Sequence, residues 1–584
     1  MVYGVQFRIW GKDEMEAVVT KTNTHEEMDR MVADLRAKKD EWIQVGIPER
    51  ISILKECMEH TFRVSEPWVQ AACQAKGLSM DASTAAEEWL GGPATTLRNF
   101  RVLIEVLKEI QKHGKPPIAS DKVRALKDGQ LIVDVFPRNG WDKLMYQGFS
   151  GEIFVEPGVA REELQATLAA NYQEDAPKEG KVALILGAGN VASIGPMDLL
   201  YKLFVENKVC ALKWNPVNDY LGPFVDQSLQ PLLDRGFVRS AYGAAEVGEY
   251  LVHHEGIDEV HITGSDRVHD IIVWGKPGEE QDENKKNGTP KLNKEITSEL
   301  GCVSPVIIVP GYWTQKELDF QAANVATMVT NNASFNCNAA KVLITWKNWP
   351  QRSAFLKRVE EILAEAPLRK AYYPGSDKKY GSFLEAHPEA NKLVEGNEES
   401  IPWTTIFDVD FEKKDDIVFQ QEAWCGLLAE TAVPAQNEKE WLRKVVDFCN
   451  DDLWGTLSCT VLAHPKTAQV LGPAFEEALQ NLRYGSVGVN HWAALSYAFV
   501  YTTWGAYPGH TLEDIQSGIG AVHNALMIEK PQKSIVRGPF TMFPKPPWFV
   551  THKNAHNVAR KLVAFEYKPS LWRLIGILFS ALRG

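Results

Sequence analysis

Clustered cysteines and long apolar runs are both missing from this sequence. Its eight cysteines are scattered over 584 residues without a CxxC pair, which argues against a disulfide framework and against a structural metal site. No uncharged apolar run reaches the ~18 residues that cross a bilayer. The opening segment MVYGVQFRIWGKDEMEAV gains charge after a few residues, unlike a signal peptide. Together these absences predict a cytoplasmic protein with reduced thiols and no bound metal.

Basic charge is scarce as well. The chain has 63 Lys and Arg against 76 Asp and Glu, a net charge of −13. Binding to nucleic acid needs clustered basic side chains, so nucleic acid is not an expected partner. Apolar residues make up 45% and charged residues 24%, the composition of an ordinary globular protein.

The chain changes character along its length. Residues 1–120 show helical periodicity, whereas the β-rich runs of 129–157 predict a projecting ribbon. From residue 180 onward, apolar strands alternate with helices, which predicts parallel sheets covered on both faces. Residues 276–294 have almost no apolar side chains and are predicted to be a solvated insertion.

A glycine-rich turn follows the predicted strand KVALIL. Gly187, Gly189 and Ala192 match the loose GxGxxA pattern of dinucleotide-binding loops. The next strand ends at Lys213 without the acidic residue of that pattern, so a simple tight turn is the alternative. The Lys213 ammonium suits a ribose hydroxyl or a phosphate at a sheet edge, and a solvated lysine is its alternative.

One cysteine has an unusual setting. Cys337 lies between a predicted helix and the strand VLITW, flanked by Asn336 and Asn338. Lone cysteines are more often small core residues than nucleophiles. The polar neighbours disfavour a purely apolar niche and favour a reactive thiol.

At this point the sequence resembles the aldehyde dehydrogenase superfamily, over roughly residues 180–510. Seven short motifs of that family occur in the same order. They are Asn190, Lys213, Thr263-Gly264-Ser265, Glu299-Leu300-Gly301, Asn332 to Cys337, Glu422-Ala-Trp424-Cys-Gly426 and Gly488-Val489-Asn490. Each is weak alone, and the ordered set is strong.

The resemblance implies catalytic roles. Cys337 would be the nucleophile and Glu299 the general base that hydrolyses the thioester. The Asn190 amide and the Cys337 backbone N–H would stabilise the oxyanion. Glu299 favours release of a carboxylic acid over transfer to coenzyme A, the alternative for an acylating dehydrogenase or acyl-CoA reductase. A catalytically silent binding or membrane-surface protein on the same fold is the alternative of another class.

The resemblance also implies an NAD or NADP site. Lys213 and Glu422 would hold the cofactor riboses, Gly264 and Ser265 would approach the pyrophosphate, and Trp424 would flank the nicotinamide or be a core aromatic. Where the family often carries an acid that disfavours a 2′-phosphate, this chain has Pro216, so NAD and NADP both stay open. A family glycine is replaced by His269, and Phe335-Asn336 stand where Gly-Gln is usual.

The predicted fold class is therefore α/β and aldehyde dehydrogenase-like, with two parallel-sheet α/β domains and a small β oligomerisation ribbon. Exposed ribbon edges predict a homodimer or homotetramer. The predicted parts are N-terminal helices with an NAD(P)-binding domain at 1–300 (including the ribbon at about 129–157), a catalytic domain at 301–528, an oligomerisation strand at 529–540 and a C-terminal extension at 541–584.

The last segment is unusual in charge. Residues 541–584 carry seven Lys or Arg and one acid, Glu566, a net +6 in a chain of −13. The stretch PSLWRLIGILFSALRG is apolar but too short to cross a bilayer. It is predicted either to lie on an anionic membrane surface as a peripheral contact or to pack on a subunit as the roof of a substrate tunnel. Both suit a long-chain aliphatic aldehyde.

Overall fold

The computed structural model describes residues 22–584. The opening segment that was compared above with a signal peptide, residues 1–18, lies outside the described residues. The first helix begins at a capping box in which the Thr24 hydroxyl and the Glu27 side chain satisfy each other's backbone N–H groups. The fourth helix ends at Gly114, whose φ of +80° lies in the left-handed region. The α-helices are α1 (His25–Gln44), α2 (Ile47–Ala75), α3 (Ala86–Trp89), α4 (Thr95–His113), α5 (Gly140–Met145), α6 (Arg161–Thr167), α7 (Ile194–Leu200), α8 (Gly222–Ser228), α9 (Gln230–Asp234), α10 (Ala245–His253), α11 (Asp266–Trp274), α12 (Glu279–Asn287), α13 (Gln315–Thr330), α14 (Arg352–Glu365), α15 (Ser376–Ala386), α16 (Ile417–Gln420), α17 (Glu438–Asp451), α18 (Pro465–Leu471), α19 (Pro473–Asn481), α20 (Ala494–Phe499), α21 (Ala555–Tyr567) and α22 (Leu571–Ala581).

The strands form three sheets. They are β1 (Val123–Ala125), β2 (Leu131–Phe136), β3 (Ser150–Val155), β4 (Val182–Leu186), β5 (Val209–Lys213), β6 (Val238–Ala241), β7 (Glu259–Thr263), β8 (Glu295–Glu299), β9 (Pro305–Ile308), β10 (Val342–Trp346), β11 (Asn391–Lys392), β12 (Thr404–Ile406), β13 (Leu427–Val433), β14 (Ser458–Leu462), β15 (Ser486–Val489), β16 (Thr503–Gly505), β17 (Ala521–His523) and β18 (Pro531–Arg537).

The first sheet has five parallel strands in the order β6-β5-β4-β7-β8. Its central strand β4 is the apolar run VALIL, which is buried along almost its whole length because helices cover both faces. The order reverses at β4, so connections leave the sheet in opposite directions there. Ligands of such sheets bind at the carboxyl ends of the strands beside this reversal.

The second sheet has eleven strands in the order β1-β2-β3-β18-β15-β14-β9-β10-β13-β12-β11. Its strands from β18 to β12 are parallel, and β11 is an antiparallel edge. A third sheet is the antiparallel pair β16-β17. Two parallel α/β sheets were predicted, and this arrangement confirms them.

The ribbon β1-β2-β3 is antiparallel and pairs with β18, as the sequence predicted for residues 129–157 and the strand near 533–540. It does not project freely, because β18 also pairs in parallel with β15 of the same chain. The edges left open are the short strands β1 and β11. Assembly into a dimer or tetramer stays a prediction.

The predicted solvated insertion at 276–294 contains α12, none of whose residues is buried. The sequence analysis did not predict this helix, because EEQDENKKN has no apolar periodicity. At the C-terminal end, α21 and α22 pack against each other and α21 also packs on α2 and α4. No helix within residues 22–584 combines the length and apolar character needed to cross a membrane.

Candidate active site

The functional side chains predicted from the glycine turn, the lysine and the ELG motif meet at one edge of the five-stranded sheet. Asn190 follows β4, Lys213 ends β5, Gly264 and Ser265 follow β7, and Glu299 ends β8. Because these strands are parallel, their carboxyl ends share one edge. Residues more than 100 positions apart in sequence are therefore brought to one side of one sheet.

A cavity of about 600 Å³ lies beside this edge, and Cys337, Glu299 and Asn190 all line it. Its wall is mostly apolar and includes Tyr497 and Trp504. The far side of the cavity is built by the C-terminal extension, including Leu562 of α21 and Ile577 of α22. The extension thus packs on its own chain and closes this cavity, and a role as the roof of a substrate tunnel stays a prediction.

The Cys337 thiol donates to Glu299 Oε1 at 3.4 Å. Cys337 is half-buried, whereas the other seven cysteines of the chain are buried. Glu299 is 3% exposed, and its second oxygen has no hydrogen-bond partner within residues 22–584. A half-buried sulfur thus faces a carboxyl group that has one oxygen without a hydrogen-bond partner, and both residues line the cavity.

Burial dominates the protonation of this pair. Burial, followed by the nearby Asp198 carboxylate, raises the pKa of Glu299 to about 8. Burial, followed by the charges of Glu299 and Glu422, raises the pKa of the Cys337 thiol well above its usual value. Both groups are therefore largely protonated and neutral at neutral pH, and the thiol proton is the one that Cys337 donates to Glu299.

Lys341 is a residue that sequence reasoning missed, although it stands four positions after the cysteine. Its ammonium donates to the carbonyls of Asn336 at 2.7 Å and Cys337 at 3.4 Å, and it pairs with Glu422 Oε1 at 3.5 Å. It is buried, and desolvation lowers its pKa. Its positive charge favours the thiolate form of Cys337. A buried lysine beside the cysteine thus opposes the burial effect.

The backbone before Cys337 has an uncommon conformation. Asn332, Ala333 and Ser334 have φ values of +53°, +56° and +69°, in the left-handed region that non-glycine residues rarely adopt. The Asn332 amide stabilises this turn by donating to the carbonyls of Phe335 at 3.1 Å and Asn190 at 3.0 Å. The turn carries the cysteine from the end of α13 to the sheet edge.

Asn190 is fixed by several donors. Its carbonyl accepts from Lys76 at 3.2 Å, from Asn332 at 3.0 Å and from Tyr372 at 3.1 Å. Its side-chain amide donates to the Phe335 carbonyl at 2.9 Å, two residues before the cysteine. This amide lies on the wall of the cavity, so it is available to a ligand that displaces its present contact.

Lys76 and Tyr372 are further residues that the sequence did not reveal. Lys76 ends α2, is buried, and pairs with Glu88 at 2.9 Å. Both Lys76 and Tyr372 donate to the Asn332 side-chain oxygen at 2.9 Å. No pattern in the sequence marks them, because they come from elements remote from every motif.

The predicted cofactor residues fit a dinucleotide. Lys213 is 7% exposed, and its ammonium makes no hydrogen bond within residues 22–584, while burial lowers its pKa. Gly189 lets the glycine turn pack closely on Asn215 of the same chain, because a Cβ there would lie 2.7 Å from Asn215 Oδ1. Ser265 caps α11 by accepting from the Val268 N–H at 3.3 Å, and Gly264 and Ser265 are exposed at this helix start. An unpaired cation beside an open helix N-terminus suits a ribose and its phosphates.

Glu422 and Trp424 approach from the other large sheet, just before β13. A Cβ on Gly301 would lie 2.3 Å from Glu422 Oε2, so this carboxyl packs directly on the backbone that follows Glu299. Trp424 packs edge-on against Tyr373 at 5.3 Å and lies 6.3 Å from the Phe335 ring. Glu422 Oε1 has its ion pair with Lys341 but no hydrogen bond, and the Trp424 indole N–H has no hydrogen-bond partner within residues 22–584. The unpartnered indole N–H is consistent with a ligand beside Trp424.

No family model matches this chain, and no curated protein sequence matches it either. Solved structures do match along almost the whole chain. NADP-dependent glyceraldehyde-3-phosphate dehydrogenase from Bacillus halodurans, complexed with NADP, aligns at 12% identity and a TM-score of 0.57, over 88% of this chain and 92% of its own. A mutant of aldehyde dehydrogenase C from Pseudomonas syringae, complexed with NAD+ and octanal, aligns at 15% identity and a TM-score of 0.59, over 89% and 90%. Betaine aldehyde dehydrogenase from Staphylococcus aureus aligns at 14% identity and a TM-score of 0.57, over 88% of both chains.

The chain has the aldehyde dehydrogenase fold. At these identities the similarity concerns the fold, and the chemistry has to be argued from the residues of this chain. Within this aldehyde dehydrogenase fold, Cys337, Glu299 and Asn190 line one cavity. Lys213, Gly264 and Ser265 lie at the same sheet edge and do not line that cavity, and Glu422 and Trp424 lie just before β13 of the larger sheet.

Proposed function

We propose that this protein oxidises an aldehyde to a carboxylic acid with NAD or NADP as oxidant, through a thioester on Cys337. The observation that carries the proposal is the 3.4 Å contact of the Cys337 thiol with a buried carboxyl group in a cavity that Asn190 also lines. A silent binding protein would not need an accessible thiol paired with a carboxyl group. Retention of all three groups favours an enzyme.

The first step is addition of sulfur to the substrate carbonyl. The Cys337 thiol loses its proton to solvent, a loss that the positive charge of Lys341 favours, and the thiolate attacks the carbonyl carbon. The resulting oxyanion accepts from the Asn190 side-chain amide and the Cys337 backbone N–H, each such donor being worth roughly 3–4 kcal/mol of barrier. Lys341 donates to the Asn336 carbonyl and so orients the peptide group that carries the Cys337 N–H.

The thiohemiacetal collapses by losing hydride and leaves a thioester on Cys337. A bound nicotinamide cofactor supplies the hydride acceptor. Of the chain's residues, Lys213 and Glu422 would hold its ribose hydroxyls, Gly264 and Ser265 would approach its pyrophosphate, and Trp424 would flank its ring. Pro216 is exposed and offers no carboxylate against a 2′-phosphate, so the chain accepts both NAD and NADP.

Hydrolysis of the thioester completes the reaction. Once sulfur is acylated it no longer donates to Glu299, so Glu299 Oε1 is free to accept from a water. Glu299 removes a proton from that water as it attacks the thioester carbonyl. A pKa near 8 makes the carboxylate a stronger base than an exposed glutamate, at the expense of its ionised fraction at neutral pH. The products are the acid and the regenerated thiol.

The lining of the cavity indicates the substrate class. Apolar side chains of α21, α22 and the segment before them close it, with Leu562, Ile577 and Trp548 among them. Such a wall favours an aliphatic chain over a polar aldehyde. We therefore propose long-chain aliphatic aldehydes as substrates.

We also propose that the protein works as a homodimer or homotetramer in the cytoplasm and makes a peripheral contact to membranes.

The test is a panel of short and long aldehydes with NAD+ and with NADP+, each with and without coenzyme A, followed by absorbance of the reduced nicotinamide. We expect reduced cofactor and free acid without coenzyme A, a preference for long chains, and no product from Cys337→Ser. Product formation only with coenzyme A would replace hydrolysis by acyl transfer. No reduced cofactor with any aldehyde would refute the enzyme and favour the silent protein.

A further inference from the structure

The outward face of α22 is built from large apolar side chains. Trp572 is 83% exposed, Phe579 64% and Leu571 60%. Ile575, Leu578 and Leu582 complete the same face at spacings of three and four residues, and each of them is at least 40% exposed. Globular proteins seldom leave a contiguous apolar helix face in water, so this face is made for an apolar surrounding.

The opposite face of α22 closes the cavity of the candidate active site. Leu574, Ile577 and Ala581 line that cavity from the inside. Leu578 lines it too, yet is 49% exposed, and so are Phe543 at 88% and Leu144 at 46%. Residues that are both exposed and cavity-lining mark the mouth. The mouth therefore opens at the edge of the apolar face.

The charge around this face is mainly basic, although the exposed Glu66 of α2 forms an ion pair with Arg560 there. Residues 541–584 carry seven basic residues and a single acid, Glu566. Glu566 is buried in ion pairs with Arg98 and Arg101 of α4, so it adds no accessible negative charge. The exposed charged side chains of the extension are Lys553, Arg560, Lys561, Lys568 and Arg583. The apolar face is thus bordered by cations in a protein that is acidic overall.

The length of α22 limits how an apolar medium can cover it. Its 11 residues give about 16 Å at 1.5 Å per residue, roughly half of a hydrocarbon core. It cannot cross a bilayer, but it can lie in the interface with the apolar side chains down and the basic ones toward lipid phosphates. A second copy of this chain is a poorer occupant, because a symmetric contact would place two basic borders against each other.

We propose that α22 docks this protein on the surface of an anionic lipid bilayer and places the cavity mouth against the lipid, so that long-chain aldehydes enter from the membrane. The docking stands on the exposed face, the mouth and the charge. The identity of what enters rests on the proposed function. Lipophilic aldehydes partition into bilayers, so a mouth at the lipid surface meets them where they are concentrated.

The experiment is flotation of the full chain with vesicles of phosphatidylglycerol and, separately, of phosphatidylcholine. The variant Trp572→Ser/Phe579→Ser changes two exposed side chains that do not line the cavity. The matched control is Tyr312→Ser/Val470→Ser, two side chains that are each 81% exposed and lie outside the extension. Thermal unfolding and light scattering verify that all three proteins are folded and have the same oligomeric state.

We expect the native protein to float with phosphatidylglycerol vesicles and much less with phosphatidylcholine. Trp572→Ser/Phe579→Ser lowers the partition coefficient by at least about tenfold, because two large apolar groups no longer leave water. Neutralisation of Lys568 and Arg583 by Lys568→Gln and Arg583→Gln lowers it by about fivefold per residue. The control leaves it unchanged.

The proposal is overturned if the native protein ignores phosphatidylglycerol vesicles, if the control loses binding as the variant does, or if the variant turns a larger native assembly into a smaller one, which would assign the face to a protein contact. Binding is measured without turnover. Vesicle binding without aldehyde oxidation therefore refutes the proposed function alone, and oxidation without vesicle binding refutes the docking alone.

Discussion

Glu299→Gln separates the two halves of the proposed reaction. Glutamine keeps the shape of the side chain and removes its basicity. Formation of the thioester produces one reduced nicotinamide, and its hydrolysis needs the base, so the variant should give a burst that approaches one equivalent and then stall. Loss of a general base typically lowers a rate by about 10²- to 10⁴-fold, and we expect the steady-state rate to fall within that range.

The pH dependence follows from the raised pKa of the same group. Glu299 must be ionised to act as a base, and burial raises its pKa to about 8. The steady-state rate of the native enzyme should therefore rise with pH and level off above about pH 8. Stopped-flow absorbance of the reduced cofactor gives burst and steady state separately. Turnover of Glu299→Gln at the native rate would refute the role of Glu299. So would a steady-state rate of the native protein that stays constant between pH 6 and 9, because these limits lie roughly one unit or more on either side of the pKa.

The same substitution changes stability in a direction that can be derived. The carboxyl ionises near 4.5 in the unfolded chain and near 8 in the folded one, so the unfolded state loses its proton first as pH rises. The contribution of Glu299 to stability is complete below pH 4.5 and is lost progressively up to about pH 8. At 1.36 kcal/mol per unit, the loss is at most about 5 kcal/mol. Glu299→Gln should thus gain stability relative to the native protein as pH rises through this window, and equal urea midpoints at all pH values would contradict the burial argument.

Four further changes test other parts of the site. Iodoacetamide should label Cys337 alone in the folded protein, since the other cysteines are buried, and mass spectrometry that finds a different first site would contradict the exposed thiol. Lys341→Met should slow that alkylation, because it removes a positive charge that lowers the pKa of the Cys337 thiol. An unchanged rate would remove Lys341 from the site. Lys76→Met should destabilise the fold by about 3–5 kcal/mol because it leaves Glu88 buried and unpaired, and adding Glu88→Gln should restore most of the loss in urea titration. Pro216→Glu should lower kcat/KM for NADP relative to NAD by at least about tenfold through repulsion of the 2′-phosphate, and an unaltered ratio would separate residue 216 from cofactor choice.

The sheets were predictable because their evidence is local. The buried run VALIL of β4 and the glycine turn behind it give one strand and its connection, and repetition of that pattern gives a parallel sheet. The convergence of Asn190, Lys213 and Glu299 follows once the strands are parallel, because each stands at a carboxyl end. The resemblance to a family supplied the partner domain and the roles.

The remaining parts depend on contacts that no local pattern encodes. Lys76 ends a helix more than 100 positions before Asn190, and only the packing of α2 against the cysteine turn makes it a partner. The left-handed turn at Asn332 to Ser334 contains no glycine, so its conformation is held by surrounding hydrogen bonds and leaves no compositional sign. The polar segment EEQDENKKN forms α12 without burying a single residue, which periodicity cannot detect.

The place of β18 in the large sheet has a consequence for how the chain is made. β3 and β15 each have one ladder of backbone groups that only β18 satisfies, and β18 is the last strand in sequence. During synthesis β3 therefore keeps one unpaired edge until residues 156–530 have emerged, and its pairing with β18 is a long-range closure that is slow and open to wrong pairing. A chain that ends before residue 531 would lack β18, and the backbone groups of β3 and β15 that pair with it would have no partner in the middle of the eleven-stranded sheet.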